Sequence, residues 1–354
     1  MRRDWLTSSM RRFFLQFVIS VLLLAAVIGC EQQNKVATIK LSGATMGTTW
    51  SVSLLPAAAG TDPIALQALL QQRLDQINGL MSTYDPESEI SRFNRQSDSD
   101  WFPISAETAQ VIALSLQISQ LTSGAFDISV GSLVDLWGFG AAARREQLPT
   151  DEQVNALLAQ VGYKNLHLRL EPPAIRKQLP QLKIDLSAIA KGYAVDALKE
   201  ILLQQGVSNF LLEIGGEMQL AGRRSDGKPW RIAIEKPLEG SREVEMVVPL
   251  TETAVATSGN YRNFYLENGQ RYAHTIDPLS GRPARHRLAS VTVLDPNCAR
   301  ADALATALMV MGEEQGRIFC EKNRLAVYLL IHEKEATVEY ASPAFQDFVK
   351  QVTQ

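Results

Sequence analysis

The chain has 354 residues, enough to bury a large core, and its 46% hydrophobic and 21% charged residues are ordinary for a globular protein. A formal net charge of −3 argues against a nucleic-acid binder, which normally carries a basic excess. Three cysteines make neither a disulfide framework nor a zinc site.

The first 29 residues read as a signal peptide rather than as part of the fold. Arg2, Arg3, Arg11 and Arg12 form a positive stretch, followed by the apolar run Phe13 to Ile28, which is short for a membrane span. Small residues lead to Cys30, a pattern resembling a bacterial lipobox in which the cysteine is acylated. Arg11-Arg12-Phe13-Phe14-Leu15 also resembles a twin-arginine signal, so Sec and Tat export both stay open. Residues 30–37 then read as a lipidated tether, and residues 38–354 as the working domain.

Thr38–Ser42 and Thr49–Leu55 read as strands around Met46-Gly47, a tight turn with amides and hydroxyls at hand. Asp62-Pro63 opens a helix whose core residues are Leu66, Leu70, Leu74, Ile77 and Met81. A polar loop, 82–89, precedes Ile90–Asn94. A second helix starts near Ser105, buries Val111, Leu114, Ile118 and Leu121, and ends near Gly124. Aromatics between glycines at 136–140 fit either a turn under a flat ligand or a core corner. Thr150 to Gln153 forms a capping box for a helix that stops at Gly162.

Strands are expected at Leu166–Leu170 and Leu182–Leu186. The second runs into a helix with Ser187 as N-cap, Lys191 in or near its first turn, and an end at Gly206. The rest is strand-rich: Phe210–Glu213, Met218–Ala221, Trp230–Glu235, Glu243–Val248 and Leu288–Leu294. Asn268-Gly269 marks a hairpin between Tyr261–Glu267 and Arg271–Ile276. An Ala-rich helix over Ala301–Met311, a strand and a helix close the chain. The pattern gives an α+β fold, as one unit or as two interlocked lobes around a cleft.

Four places carry chemistry. A lysine near a helix N-terminus opposes the helix dipole, so Lys191 is easier to understand beside a bound anion; a solvated Lys paired with Asp185 is the alternative. Asp302 and Thr306, four apart on one helix, put a carboxylate and a hydroxyl on one face, a pair that suits a hard cation such as Mg²⁺ but that, taken alone, more often belongs to an ordinary helix start. His274, within the returning hairpin strand beside the Asp277-Pro278 turn, is a candidate proton carrier or phosphate contact. Gly215-Gly216-Glu217 permits close approach of a ligand or simply a bulge. There is no P-loop, Gly-x-Gly-x-x-Gly fingerprint, Gly-x-Ser-x-Gly elbow or Cys-x-x-Cys motif.

These residues fall within ordered blocks: MGTTW (46–50), MSTYDPESEISRFN (81–94), FDISVGSLVDLWGFG (126–140), IDLSAIAKGYAVD (184–196), EIGGE (213–217), TSGNY (257–261), HTIDPLSGRP (274–283) and ADALATAL (301–308). Together they resemble the ApbE-type flavin transferases, the family of FAD:protein FMN transferases, over nearly all the chain after Thr38. The resemblance implies FAD contacts at Met46, Tyr84, Ala125, Phe126, Asp127, Asp185, Lys191 and Ile276. It implies Mg²⁺ held by the backbone carbonyl of Ala188 with Asp302 and Thr306. The implied reaction moves the FMN part of FAD onto a Thr or Ser hydroxyl of a flavin-carrying target protein and releases AMP, with His274 and Asp302 at the chemistry. FAD hydrolysis and non-catalytic flavin binding are the alternatives. The implied setting is an exported bacterial lipoprotein, anchored through Cys30 and facing the periplasm. Two departures stand out: Ala305, where some members carry an acid, and Ser129 and Ser132, where Thr and Pro are frequent.

Overall fold

The first described element is a hairpin whose turn is written in the sequence. In the computed structural model, which describes residues 37–141, 147–237, 243–260, 264–267, 269–333 and 336–353, β1 (Ile39–Thr45) pairs antiparallel with β2 (Thr48–Leu54). The two loop residues Met46 and Gly47 have φ of 49° and 69°, the left-handed pair that matches the twist of the flanking strands. The signal segment, Cys30, the tether up to residue 36, Tyr261 and Asn268 lie outside the described residues.

Asp62 accepts from the amides of Ile64 and Ala65 and caps α1 (Pro63–Met81), where all five predicted core residues are buried. Ser88 caps α2 (Glu89–Arg95); β3 (Phe102–Pro103) follows, and Ser105 caps α3 (Ala106–Leu121). The buried face of α3 differs from the predicted one: Leu121 is 42% exposed, while Ser115 and Ser119 are buried. Their hydroxyls donate to the carbonyls of Val111 and Ser115, at 2.8 and 2.9 Å, so burial leaves them satisfied. After α4 (Gly131–Leu136), both hydrogen bonds of the predicted capping box start α5 (Asp151–Leu158), which ends before Gly162. The strands β4 (Leu166–Leu170) and β5 (Pro173–Lys177) join β3 in a small sheet of order β3-β5-β4.

The expected strand Leu182–Leu186 is not one. Its alternation reflects real burial, since Leu182, Ile184 and Leu186 are at most 1% exposed. The backbone, however, finds its partners in loops. Asn94 both donates to the Ile184 carbonyl and accepts from the Ile184 amide at 2.8 Å, Asp185 N donates to Ile128 O, and a single parallel bridge joins Val130 to Lys183.

Then come α6 (Ala190–Gln204), β6 (Phe210–Ile214), β7 (Glu217–Ala221), β8 (Trp230–Glu235), β9 (Val244–Leu250), β10 (Thr253–Gly259), β11 (Phe264–Glu267), β12 (Gln270–Ala273), β13 (Ile276–Asp277), β14 (Arg282–Pro283), β15 (Leu288–Asp295), α7 (Cys298–Lys322), β16 (Ala326–Glu333), β17 (Ala336–Ala341) and α8 (Pro343–Thr353). The Ala-rich helix is longer than predicted and kinks at Gly312, whose φ of 76° breaks the helical run.

Eight strands form one sheet of order β1-β2-β6-β7-β10-β15-β16-β17, with every neighbouring pair antiparallel. One face packs on α1, α6 and α7 through residues such as Trp50, Leu70, Leu198, Leu212, Val291 and Leu304. The other face, around Leu220, Val255 and Tyr328, is covered by β8, β9 and α8 through Trp230, Val248 and Phe345. That is why β15 is buried at all eight positions. A smaller cluster, including Leu133, Trp137, Val154 and Tyr272, underlies the segments near 130 and 275. Residues 37–354 form one compact α+β unit.

Candidate functional site

The predicted site residues converge although they are spread over 260 positions of chain (46 to 306). A cavity of about 1230 Å³ is lined by all twelve: Met46, Tyr84, Ala125, Phe126, Asp127, Asp185, Ala188, Lys191, His274, Ile276, Asp302 and Thr306.

The charged corner is built by the meeting of α6 and α7. Ser187 is not the cap of α6. The Asp185 carboxylate accepts from the Ser187 amide at 2.7 Å, residues 187–189 turn, and the helix begins at Ala190 with Ile189 before it. Lys191 is therefore its second residue, inside the first turn as expected. Next to it, Gly192 is a steric requirement: a Cβ there would lie 2.4 Å from the Cys298 carbonyl oxygen. The start of α7 is tied down by Asp196, whose two oxygens accept from the amides of Cys298 and Ala299 at 2.9 Å each. Burial pushes the Asp196 carboxyl up to about 6, while those two amides pull the other way.

This packing delivers Asp302 to Lys191. Lys191 Nζ lies 3.4 Å from Glu217 Oε1 and 3.7 Å from Asp302 Oδ2, and Asp302 Oδ2 also accepts from Gly192 N at 3.1 Å. Asp185 is not its partner. Burial works against the Lys191 charge, but the carboxylates of Asp302 and Glu217 outweigh it and hold the lysine above its ordinary range. Glu217 is 3% exposed and reaches the corner from the turn Gly215-Gly216, whose φ values are 59° and 110°. A Cβ on Gly215 would meet Thr48 Cγ2 at 2.8 Å. Burial raises the Glu217 carboxyl above its ordinary range while the Lys191 ammonium pulls it back towards the charged form, and its Oε2 is buried without a hydrogen-bond partner among the described residues. The EIGGE block pointed to this turn through its glycines, whereas nothing local marked the acid.

Thr306 Oγ1 lies 3.3 Å from Ser258 Oγ, one helical turn beyond Asp302. Asp302, Thr306 and the main chain of Ala188 offer oxygen donors only, a set that fits a hard divalent cation. No three His, Cys, Asp or Glu side chains among the described residues gather as a metal cluster. Ala305 is fully buried in the core and absent from the cavity wall.

The aromatic residues of the lining differ in exposure. Tyr84 is 64% exposed at the rim, its hydroxyl donating to the Phe139 carbonyl at 3.2 Å. Burial of its hydroxyl, with Asp185 and Asp135 nearby, raises its pKa. Phe126 is 2% exposed and belongs to the core, while Phe139 stacks on Tyr265 and offers ring surface to the cavity. Trp137 takes the core-corner role, stacked on Tyr272 and bonded to the Gly281 carbonyl.

Asp127 and Asp185 are both raised by burial, against their hydrogen bonds. Asp127 accepts from Ser129 N, Ser129 Oγ and Tyr163 N at 2.6–2.8 Å, and Ser129 Oγ accepts from Gly162 N at 2.7 Å. The serine that replaces the frequent threonine keeps the hydroxyl this network uses. His274 lies just past β12 rather than within it, edge-on to Phe139 at 6.4 Å.

Comparison with known proteins matches this architecture. The ApbE family model covers residues 46–329, and the chain belongs to that family. Relatives named FAD:protein FMN transferase include one from Vibrio cholerae, 44% identical over 98% of this chain and 99% of its own, and one from Escherichia coli K12, 38% identical over 95% and 98%. The solved flavin transferase ApbE from Vibrio cholerae superposes with a TM-score of 0.82 over 88% of this chain and 99% of its own, at 44% identity. The Thermotoga maritima ApbE protein, at 28% identity, gives a TM-score of 0.80 over 88% and 99%. Among the described residues no helix is long and apolar enough to cross a membrane.

Proposed function

We propose that this protein is an FAD:protein FMN transferase, and that its acceptor is a Thr or Ser hydroxyl on a flavin-carrying redox subunit. The observation that carries the reading is the convergence of an ammonium, two carboxylates and a ring-bearing wall on one cavity, in a chain whose relatives bear that name. At about 1230 Å³ the cavity exceeds the roughly 300–1000 Å³ typical of small-ligand pockets, leaving room for a dinucleotide and an incoming side chain.

In this reading Met46, Ala125, Phe126, Asp127, Asp185 and Ile276 frame FAD, with Tyr84 and Phe139 against its rings and Lys191 facing the pyrophosphate. The acceptor hydroxyl oxygen bonds to the FMN-side phosphorus as the phosphorus–oxygen bond to the AMP phosphate breaks. AMP leaves with that electron pair, and a ring nitrogen of His274 takes the hydroxyl proton. Ala188, Asp302 and Thr306 would hold Mg²⁺, which when bound neutralises charge on the phosphate oxygens. Lys191 orients the anion.

The test compares AMP release with and without an acceptor subunit. Release that depends on the acceptor is expected; equal release in its absence would make the protein an FAD hydrolase, and tight FAD binding without release would make it a carrier. We also propose export and acylation at Cys30, with the catalytic unit on the periplasmic side. Cys30→Ser should then move the protein from the membrane fraction to the soluble one; unchanged membrane association would contradict the anchor.

A further inference from the structure

Lys191 stands between two buried carboxylates, and only one of them belongs to the cation set proposed above. An ammonium drawn to Asp302 would repel a divalent cation arriving at the same carboxylate, and a lysine so displaced is best held by another counter-charge. The corner contains a second place for it. Lys191 Nζ is closer to Glu217, at 3.4 Å, than to Asp302, at 3.7 Å. The acceptor capacity of the two acids is also unequal. Asp302 Oδ2 already accepts from Gly192 N, whereas Glu217 Oε2 is buried and unpartnered among the described residues. Glu217 is fixed in place by a tight turn whose first glycine packs against Thr48 and the Lys191 stem.

We infer that Glu217 is a positioning residue that draws the Lys191 ammonium away from Asp302 and so frees that carboxylate for a divalent cation. The inference rests on Asp302 being a cation ligand. When the cation arrives, the ammonium turns fully to Glu217 and stays charged over the anion subsite, so the lysine and the cation serve one pyrophosphate without competing for one acid. Without the Glu217 charge, Asp302 is the remaining partner for Lys191 and the cation meets an occupied ligand.

The experiment is a Mn²⁺ titration of the flavin-free protein, read by the loss of free-ion paramagnetic resonance, with thermal unfolding to establish that each variant is folded. Glu217→Gln, which keeps the side-chain shape, should weaken Mn²⁺ binding about tenfold, the lower end of what a neighbour of a ligand contributes. In a Lys191→Met background the same change should move affinity by less than about twofold, because no ammonium remains to divert. Glu217→Asp should recover part of the loss in the wild-type background. Equal losses with and without Lys191 would overturn the inference, reducing Glu217 to a through-space charge or a packing element. Unchanged affinity in Glu217→Gln, with binding still lost in Asp302→Ala, would overturn it while leaving the cation reading standing. Mn²⁺ binding that survives Asp302→Ala would overturn both.

Discussion

Lys191 and Lys177 are held in opposite ways. Lys191 has the carboxylates of Glu217 and Asp302 within 4 Å and is kept above the ordinary lysine range. Lys177, fully buried, donates to the backbone carbonyls of Phe93, Asn94 and Leu182 at 3.1–3.4 Å and sits over the Phe93 ring. Burial pulls it down to about 8, with Asp98 favouring the charge and Lys183 opposing it. Carbonyl dipoles hold an ammonium in place, but they do not secure its charge as two carboxylates do. The first lysine lines the cavity. The second lies beneath it, pinning the segment that carries Asp185 to α2. One corner is built for charge and the other for position.

Breaking the charged corner should have the largest consequences. Asp302→Ala should reduce metal-dependent turnover by roughly 10²–10³-fold, the scale of losing one preorganised electrostatic group; turnover retained at saturating Mg²⁺ would place the cation elsewhere. Lys191→Met should raise KM for FAD about 10–100-fold, as expected for a lost charge-assisted contact, whereas Lys177→Met should leave that constant within about threefold. Equal effects would erase the distinction between the two lysines. Gly192→Ala tests the helix contact beneath the corner: a methyl 2.4 Å from a backbone carbonyl should cost about 1–3 kcal/mol of stability. A melting temperature equal to that of the wild type would mean that the two helix starts separate freely.

The smallest effect is the sharpest test of the comparison. A depressed lysine pKa contributes stability that is present above the unfolded value of 10.5 and lost as pH falls through the folded value of about 8. The stability difference between wild type and Lys177→Met should therefore shift in favour of wild type from pH 8 towards 10.5. For Lys191 the sign reverses: its raised pKa contributes stability that is complete below 10.5 and lost only at higher pH. The Lys191 charge itself should therefore add no slope to the wild-type stability over the same range. Thermal unfolding of the three proteins across these pH values checks both slopes, and parallel slopes would contradict the account.

Much of this was legible in the sequence where one residue type has one physical use. Asp62-Pro63 and Thr150-Gln153 cap helices, and Met46-Gly47 turns a hairpin. The residues that line the cavity were legible as ordered blocks, although no local rule brings Met46 to Thr306. The failures have physical causes. Leu182–Leu186 alternates like a strand because one side is buried, yet the side chain of Asn94 takes the place of a neighbouring strand. The central strand β10 went unseen because Thr253-Ala-Val-Ala-Thr-Ser-Gly259 is small and polar, and its burial comes from neighbours on both sides. The cap of α6 was misplaced because Asp185, rather than Ser187, organises the turn. Lys177 and Glu217 look like surface residues in sequence, and only the packing makes them buried charges.

The central claim is a covalent one, so the most direct measurement is the mass of an acceptor subunit after incubation with the folded enzyme, FAD and Mg²⁺. The account predicts a gain equal to one FMN unit joined by a phosphoester, located by peptide mapping to a Thr or Ser, with one AMP released per modified chain. An acceptor of unchanged mass, after incubation in which the enzyme has consumed FAD, would contradict it.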